Sequence, residues 1–164
     1  MDPVTASVTI ARPRAEVFGY LADVANHPEF KDHYQRDWHL TREDSAGRGA
    51  GARFRERLPL QRFGWGDLTL AEVESPYRIL ERGRCGKFNR VRAMGTWTLQ
   101  DAPGGMTRVD YSYETQPATL SDRLMELVAG RGWWRRKLGR AVRRLQAILE
   151  EDRDRGRRAT IAAG

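Results

Sequence analysis

The chain of 164 residues carries 29 basic and 22 acidic residues, a net charge of +7, and a single cysteine. That length suits one domain burying about 70% of its unfolded surface, and the lone Cys85 excludes an internal disulfide framework and a thiolate metal cluster. No run of about 18 apolar residues occurs, and the opening Met1 to Val4 lacks the basic and apolar pattern of an export signal, so a cytoplasmic location is expected.

In chain order, Val8 and Ile10 alternate with polar neighbours over Ala6 to Ile10, the period of a half-buried strand. Pro13 suits the first turn of a helix, and Val17, Phe18 and Leu21 recur at helical spacing to about Asp23. A second short helix is expected over Val24 to Phe30, limited by Pro28. From Trp38 the period changes to 2. Strands are predicted at Trp38 to Glu43, Gly51 to Leu58, Trp65 to Glu74 and Tyr77 to Arg84, with turns at Ser75–Pro76 and around Gly86. Val91, Ala93, Gly95, Trp97 and Leu99 then share one face. Asp101 to Gly105 turns the chain into a last strand carrying Val109, Tyr111, Tyr113 and Thr115.

A long helix is predicted from Ser121 to Asp152, with Leu124, Leu127, Val128, Leu138, Val142, Leu145 and Leu149 on one stripe. Residues 153–164 lack the stripe and are expected to be a frayed tail, leaving 1–152 as a single domain. Strand, two short helices, six strands and one long helix make an α+β antiparallel sheet whose buried face only the last helix is long enough to cover.

The residues Val8, Ile10, Pro13, Glu16, Val17, Leu21, Ala22, Asp23, Asn26, Pro28 and Phe30 resemble the opening of the START-like (SRPBCC) superfamily, the polyketide cyclase/dehydrase and lipid-transport proteins. Gly51 to Phe54, the Val73–Glu74–Ser75–Pro76 turn and the hairpin from Trp97 to Val109 resemble the same family, to about Glu150. This resemblance implies a helix-grip fold: a curved seven-stranded antiparallel sheet wrapped around the C-terminal helix, two short helices between strands 1 and 2, and a cavity between sheet and helix. It implies no single activity. Relatives of this kind bind lipids, sterols or isoprenoid quinones, or cyclise or dehydrate polyketides.

On that fold the inward row leaves room beneath the helix, and a mostly apolar pocket of about 300–1,000 Å³ would hold a small molecule. Phe54, Ala93, Gly95, Trp97, Val109, Tyr111, Tyr113, Leu124 and Val128 are the candidate ligand contacts, with simple core filling as the competing reading. Glu56, Asp67 and Glu81 are candidate acids or bases if buried; solvated carboxylates pairing with arginines are the favoured reading, and the alternation around Asp67 is ambiguous. The spacing of His27, His33 and His39 matches neither a helical nor a strand face, so no metal site is expected. Gly47 to Gly51 precedes a strand rather than a helix, which argues against a phosphate loop.

Arg131, Arg135, Arg136, Lys137, Arg140, Arg143 and Arg144 equal the whole net charge of +7 in one acid-free segment. Together Trp133, Trp134, Arg135, Arg136 and Lys137 are either a solvated face with a packed tryptophan or a docking site for an anionic membrane. Nucleic-acid binding would need a tracking groove that nothing else in the chain supports. The expectation is a monomeric or homodimeric protein, without cofactor, that binds a hydrophobic small molecule (a lipid, isoprenoid or polyketide-like compound), with transport of that molecule as an extension of the same reading. The alternative is a polyketide cyclase or dehydratase using the same cavity.

Overall fold

The computed structural model describes residues 1–57 and 64–161, with the side chains of Lys87, Met125, Val128 and Ala129 outside the description. Strand β1 (Val4–Ile10) leads to α1 (Arg14–Leu21), with Pro13 at its N-cap. A 3-10 turn (Val24–Asn26) is capped by the Asp23 carboxylate, which accepts from the Ala25 N–H, and runs into α2 (His27–Lys31) with Pro28 in its first turn. The chain then meanders through β2 (Gln35–Leu40), β3 (Gly51–Glu56), β4 (Trp65–Glu74), β5 (Arg78–Cys85), β6 (Val91–Ala102) and β7 (Met106–Gln116). The helix α3 (Leu120–Glu151) follows. The predicted end of the third strand, Leu58, lies outside the described residues.

The strands form one sheet in the order β1-β7-β6-β5-β4-β3-β2-β8, where β8 is Thr160–Ile161. Pairing is antiparallel from β1 to β2, and only β8 runs parallel to its neighbour. This is the helix-grip fold, with an eighth short strand added to the expected seven. Trp97, Leu99, Val109, Tyr111 and Tyr113 face inward and are at most 7% exposed, and Leu138, Val142 and Leu145 of α3 close the core above them.

Two sequence expectations shift for local reasons. Strand β2 starts at Gln35 rather than Trp38, because a bulge between Arg36 and His39, with Asp37 at φ 52°, breaks the alternation that would have marked it. The ambiguity around Asp67 is also a bulge. Leu68 and Leu70 are buried before a register shift between Leu70 and Glu72, and Val73, opposite the buried Ile79, packs on the core after it. Leu68 and Leu70 before the shift and Val73 after it thus share the inner face, while Trp65 is 43% exposed.

The frayed tail expected after Asp152 is instead folded back through Ile161. The backbone N–H groups of Gly156 and Ala159 donate to the carbonyls of Glu29 and Ala25 at 2.9 and 2.8 Å. Arg155 and Arg158 reach the carboxylates of Glu29 and Asp23 at 2.9 and 2.6 Å. These attachments are backbone bonds and ion pairs, which leave no apolar periodicity in the sequence. A side chain at Gly156 would meet Asp32 at 2.7 Å and the Pro28 carbonyl at 3.0 Å, so this close approach depends on glycine.

Helix α3 begins with a capping box in which Thr119 and Asp122 satisfy each other's backbone N–H. It is not one continuous stripe. Gly130 has φ 66° and ψ 147°, outside helical space, and resets the helical phase. After it Trp134, Leu138, Val142 and Leu145 are buried; before it Leu124 and Leu127 are 62% and 74% exposed.

Candidate functional site

The interior of the grip is polar at its centre. Helix α2 is too short to carry an amphipathic stripe, but His27 and Lys31 lie one turn apart on its inner face and are 0% and 1% exposed. Opposite them, alternation along β5 turns Glu81 inward, where it is 4% exposed. The Lys31 ammonium lies 3.2 and 3.3 Å from the two Glu81 oxygens. Trp97 Nε1 donates to Glu81 Oε1 at 2.6 Å, and Tyr111 Oη donates to Oε2 at 3.0 Å. Lys31 Nζ also sits 5.3 Å from the Trp97 ring centre and 5.0 Å from that of Tyr111, the attractive placement of a cation near aromatic faces.

Burial alone would raise the Glu81 carboxyl, but Lys31, His27 and the Trp97 indole together hold it below the usual carboxylate range. Lys31 is lowered by burial, with Glu81 opposing that effect. His27 is pushed down to about 4, by burial first and by Lys31 second, and is therefore neutral at pH 7. Its Nε2 lies 2.8 Å from the Leu21 carbonyl, which accepts only if Nε2 carries the proton. Nδ1 is then the acceptor facing Lys31 Nζ at 3.3 Å. Both oxygens of Glu81 have donors, so the cluster is closed, a structural knot that fixes Tyr111.

Beside it lies an open valence. Glu56 is 6% exposed and Gln35 5% exposed, and neither the Glu56 carboxyl oxygens nor Gln35 Oε1 has a hydrogen-bond partner of proper geometry among the described residues. Burial pushes the Glu56 carboxyl up to about 7, although the Gln35 amide, the Cys85 thiol and the Gly86 N–H nearby pull it partly back. The Cys85 thiol and Tyr113 hydroxyl, 3.9 Å apart, are both raised by burial and stay protonated. A space of about 20 Å³ is bounded by Gln35, Phe54, Glu56, Tyr111 and Tyr113, room for one small polar group.

The large apolar cavity expected from the sequence is therefore filled. Trp97 stacks on Tyr111 with centres 3.8 Å apart, Tyr113 packs on Trp134 at 4.5 Å, and Trp134 meets Tyr34 edge-on at 6.2 Å. Gly95 leaves room for polar atoms rather than for a ligand: a Cβ there would lie 2.7 Å from Glu81 Oε2 and 2.8 Å from Tyr111 Oη. Gly95→Ala is expected to force apart the Glu81–Tyr111 hydrogen bond and destabilise the fold by about 1–3 kcal/mol, the range for overpacking a tight core. Denaturant titration checks this; an unchanged midpoint would show that the site has slack.

Of the candidate contacts, Phe54, Gly95, Trp97, Val109, Tyr111 and Tyr113 come together inside the grip, and Ala93 is half-buried at its margin. Leu124 does not line the interior but faces solvent, and the side chain of Val128 lies outside the described residues. Glu56 and Glu81 are buried, against the favoured solvated reading, while Asp67 faces the outer surface, accepting from the Arg84 N–H at 3.0 Å and the Asn89 amide at 2.7 Å. In the basic segment Trp134 belongs to the core, Trp133 and Lys137 are half-buried, and Arg135 and Arg136 are exposed. The histidines diverge: His33 Nε2 lies 3.0 Å from the Lys137 carbonyl, and His39 is exposed on β2. Among the described residues no group of His, Cys, Asp and Glu could hold a metal ion. Sequence reasoning missed Lys31, Gln35 and Tyr34; the one available signal was the four-residue spacing of His27 and Lys31.

A family model described as polyketide cyclase / dehydrase and lipid transport matches residues 1–150. No curated protein matches significantly. Among solved structures, DR_A0006 from Deinococcus radiodurans is similar at a TM-score of 0.61 and 18% identity, over 90% of this chain and 97% of that one. The hypothetical protein jhp0584 from Helicobacter pylori superimposes at a TM-score of 0.68 with 10% identity, over 91% of this chain and 88% of that one. The major latex-like protein 151 of Panax ginseng does so at 0.63 with 10% identity, over 90% and 96%. At such identities the likeness shows the fold alone.

Proposed function

Since the chain belongs to the polyketide cyclase/dehydrase and lipid transport family, we propose that it binds a hydrophobic small molecule inside the grip, with a hydroxyl or amine of that molecule donating to Glu56 and Gln35. The observation that carries this reading is the pair of buried side chains, Glu56 and Gln35, whose acceptor oxygens have no hydrogen-bond partner of proper geometry among the described residues, beside a space bounded by aromatic rings. Buried polar atoms left without partners are costly, and a donor-bearing ligand removes the cost. The ligand's apolar body needs more room than about 20 Å³. It gains that room if the first segment of α3 parts from the sheet about Gly130, whose φ of 66° already breaks the helix there.

Denaturing extraction of the purified protein followed by mass spectrometry tests the reading directly. A retained hydroxyl- or amine-bearing apolar compound is expected. Glu56→Gln should weaken rebinding of that compound about tenfold, equivalent to about 1.4 kcal/mol. An interior that retains no compound and admits no apolar fluorescent probe would sink the proposal.

One observation favours the enzymatic alternative. A Glu56 carboxyl at about 7 is poised for proton transfer at neutral pH, with Tyr113 as neighbouring donor, in a cyclisation or dehydration of a polyketide-like substrate. Glu81 is committed to Lys31 and Asp67 points away, which leaves Glu56 as the acid or base. Turnover with an inflection near pH 7 that Glu56→Gln abolishes is the expected signature of this alternative.

A further inference from the structure

The first segment of α3 is inside out. Leu120, Leu124 and Leu127, one stripe at helical spacing, are 84%, 62% and 74% exposed. The polar residues on the opposite side face the protein. Asp122 accepts from Arg90 at 2.9 and 2.7 Å. Glu126 accepts from Thr115 Oγ1 at 2.5 Å and from the Met1 amine at 2.9 Å. These bonds fix the rotation of the segment, so the leucines are held outward rather than caught between two orientations. A folded domain gains nothing from such a stripe unless something covers it.

The acids of the segment are thus neutralised inside, while its bases remain outside. Arg123, Arg135 and Arg136 are exposed and form no ion pair among the described residues. Arg131 is exposed and makes two long contacts, to the exposed Asp2 at 3.5 Å and to the Pro3 carbonyl at 3.4 Å. Beside the leucines runs a groove of about 720 Å³ whose lining includes Leu120, Leu127, Arg123 and Arg131. Just past the Gly130 break, the half-buried Trp133 lies 5.5 Å from Lys137 Nζ.

We propose that Leu120 to Gly130 is a docking surface for an anionic lipid bilayer: Leu120, Leu124 and Leu127 enter the acyl boundary, and Arg123, Arg131 and Arg135 meet the headgroups. An outward apolar stripe flanked by exposed guanidinium groups is the pattern of a helix lying in the interface plane. No helix among the described residues is long and apolar enough to cross a membrane, so the contact is peripheral. A second copy fits less well, since a two-fold contact sets the same patch on itself and brings like guanidinium groups together. A nucleic-acid strand would use the arginines and leave the leucines in water.

Sedimentation with vesicles of phosphatidylcholine, with and without phosphatidylglycerol, tests the proposal. The protein is expected to sediment with the anionic vesicles and far less with neutral ones. In the double variant Leu124→Ser/Leu127→Ser the bound fraction should fall about tenfold while the thermal midpoint stays near wild type, because both side chains are already exposed. Arg123→Glu/Arg135→Glu should erase the preference for phosphatidylglycerol. Indifference of the wild-type protein to both vesicles would overturn the proposal, as would a leucine variant that binds equally well. A vesicle-blind dimer that the leucine variant converts to monomer would assign the surface to self-association instead.

Discussion

Lys31→Met is expected to destabilise the fold by about 3–5 kcal/mol, the cost of leaving a buried charge without its partner. Glu81 would remain 4% exposed beside Trp97 and Tyr111, with no cation within reach except a histidine that burial keeps neutral. The stranded carboxylate then either ionises in an apolar site or takes a proton, and in the protonated form it donates where Trp97 or Tyr111 now donates to it. The double variant Lys31→Met/Glu81→Gln should recover most of the loss, since an amide oxygen still accepts from these two side chains and no net charge is buried. Urea titration of wild type, single and double variants measures the coupling. A single variant within about 0.5 kcal/mol of wild type, as for an ordinary surface substitution, would mean that the pair is not buried as described.

Glu56→Gln is expected to act in the opposite direction and to depend on pH. The Glu56 carboxyl stands at about 7 in the folded protein against an ordinary value of 4.5, because burial disfavours its charge. Below pH 4.5 it is protonated in both the folded and the unfolded chain, and its contribution to stability is fully present. As pH rises from 4.5 towards 7 the unfolded chain loses the proton first, and stability falls by on the order of 3 kcal/mol before levelling off. The variant has no proton to lose, and its new amide can donate to the unpartnered Gln35 Oε1. It should therefore be more stable than wild type at pH 8, and the difference should shrink as pH falls towards 4.5.

The wild-type profile alone cannot isolate this effect. His27 and His33 are both pushed down to about 4 from 6.5 by burial, so their contributions rise with pH between those values, against that of Glu56. The difference between wild type and variant cancels the histidines. A pH-independent difference would mean that Glu56 is solvated or already has a partner.

Much of the architecture was legible in the sequence because it is local. Alternation along β6 and β7 places Trp97, Tyr111 and Tyr113 inward whatever the rest of the chain does, and the stripe from Leu138 onward marks the buried face of α3. The β2 start and the face of β4 around Asp67 were obscured by bulges, which change register without a residue type that announces it. The phase change at Gly130 was hidden for a similar reason. Glycine is tolerated within a helical pattern, and only the backbone angles show that Leu124 turns away from the face that Leu138 occupies.

The site was less legible than the fold. Glu81 reads as one acid among many arginines, and its burial is decided by a lysine 50 residues earlier in sequence that helix α2 carries to within 3.2 Å. No pattern in one strand encodes that encounter. The folded-back tail is similar: Arg155, Gly156, Arg158 and Ala159 hold to Asp23, Ala25 and Glu29 through backbone groups and carboxylates, not through a repeating apolar face.

The order of elements from β1 to α3 and the inward faces of the central strands could be read from the residues alone, because periodicity of 2 or 3.6 is a property of a chain's own residues; the family came from the resemblance of motifs such as Gly51 to Phe54 and the hairpin from Trp97 to Val109. Three-dimensional packing set a satisfied Lys31–Glu81 knot beside a Glu56 that has no well-placed hydrogen-bond partner among the described residues. It also decided that the first leucines of the last helix face outward. Burial of a charge and exposure of an apolar residue depend on which distant groups arrive beside them, and no local period carries that information.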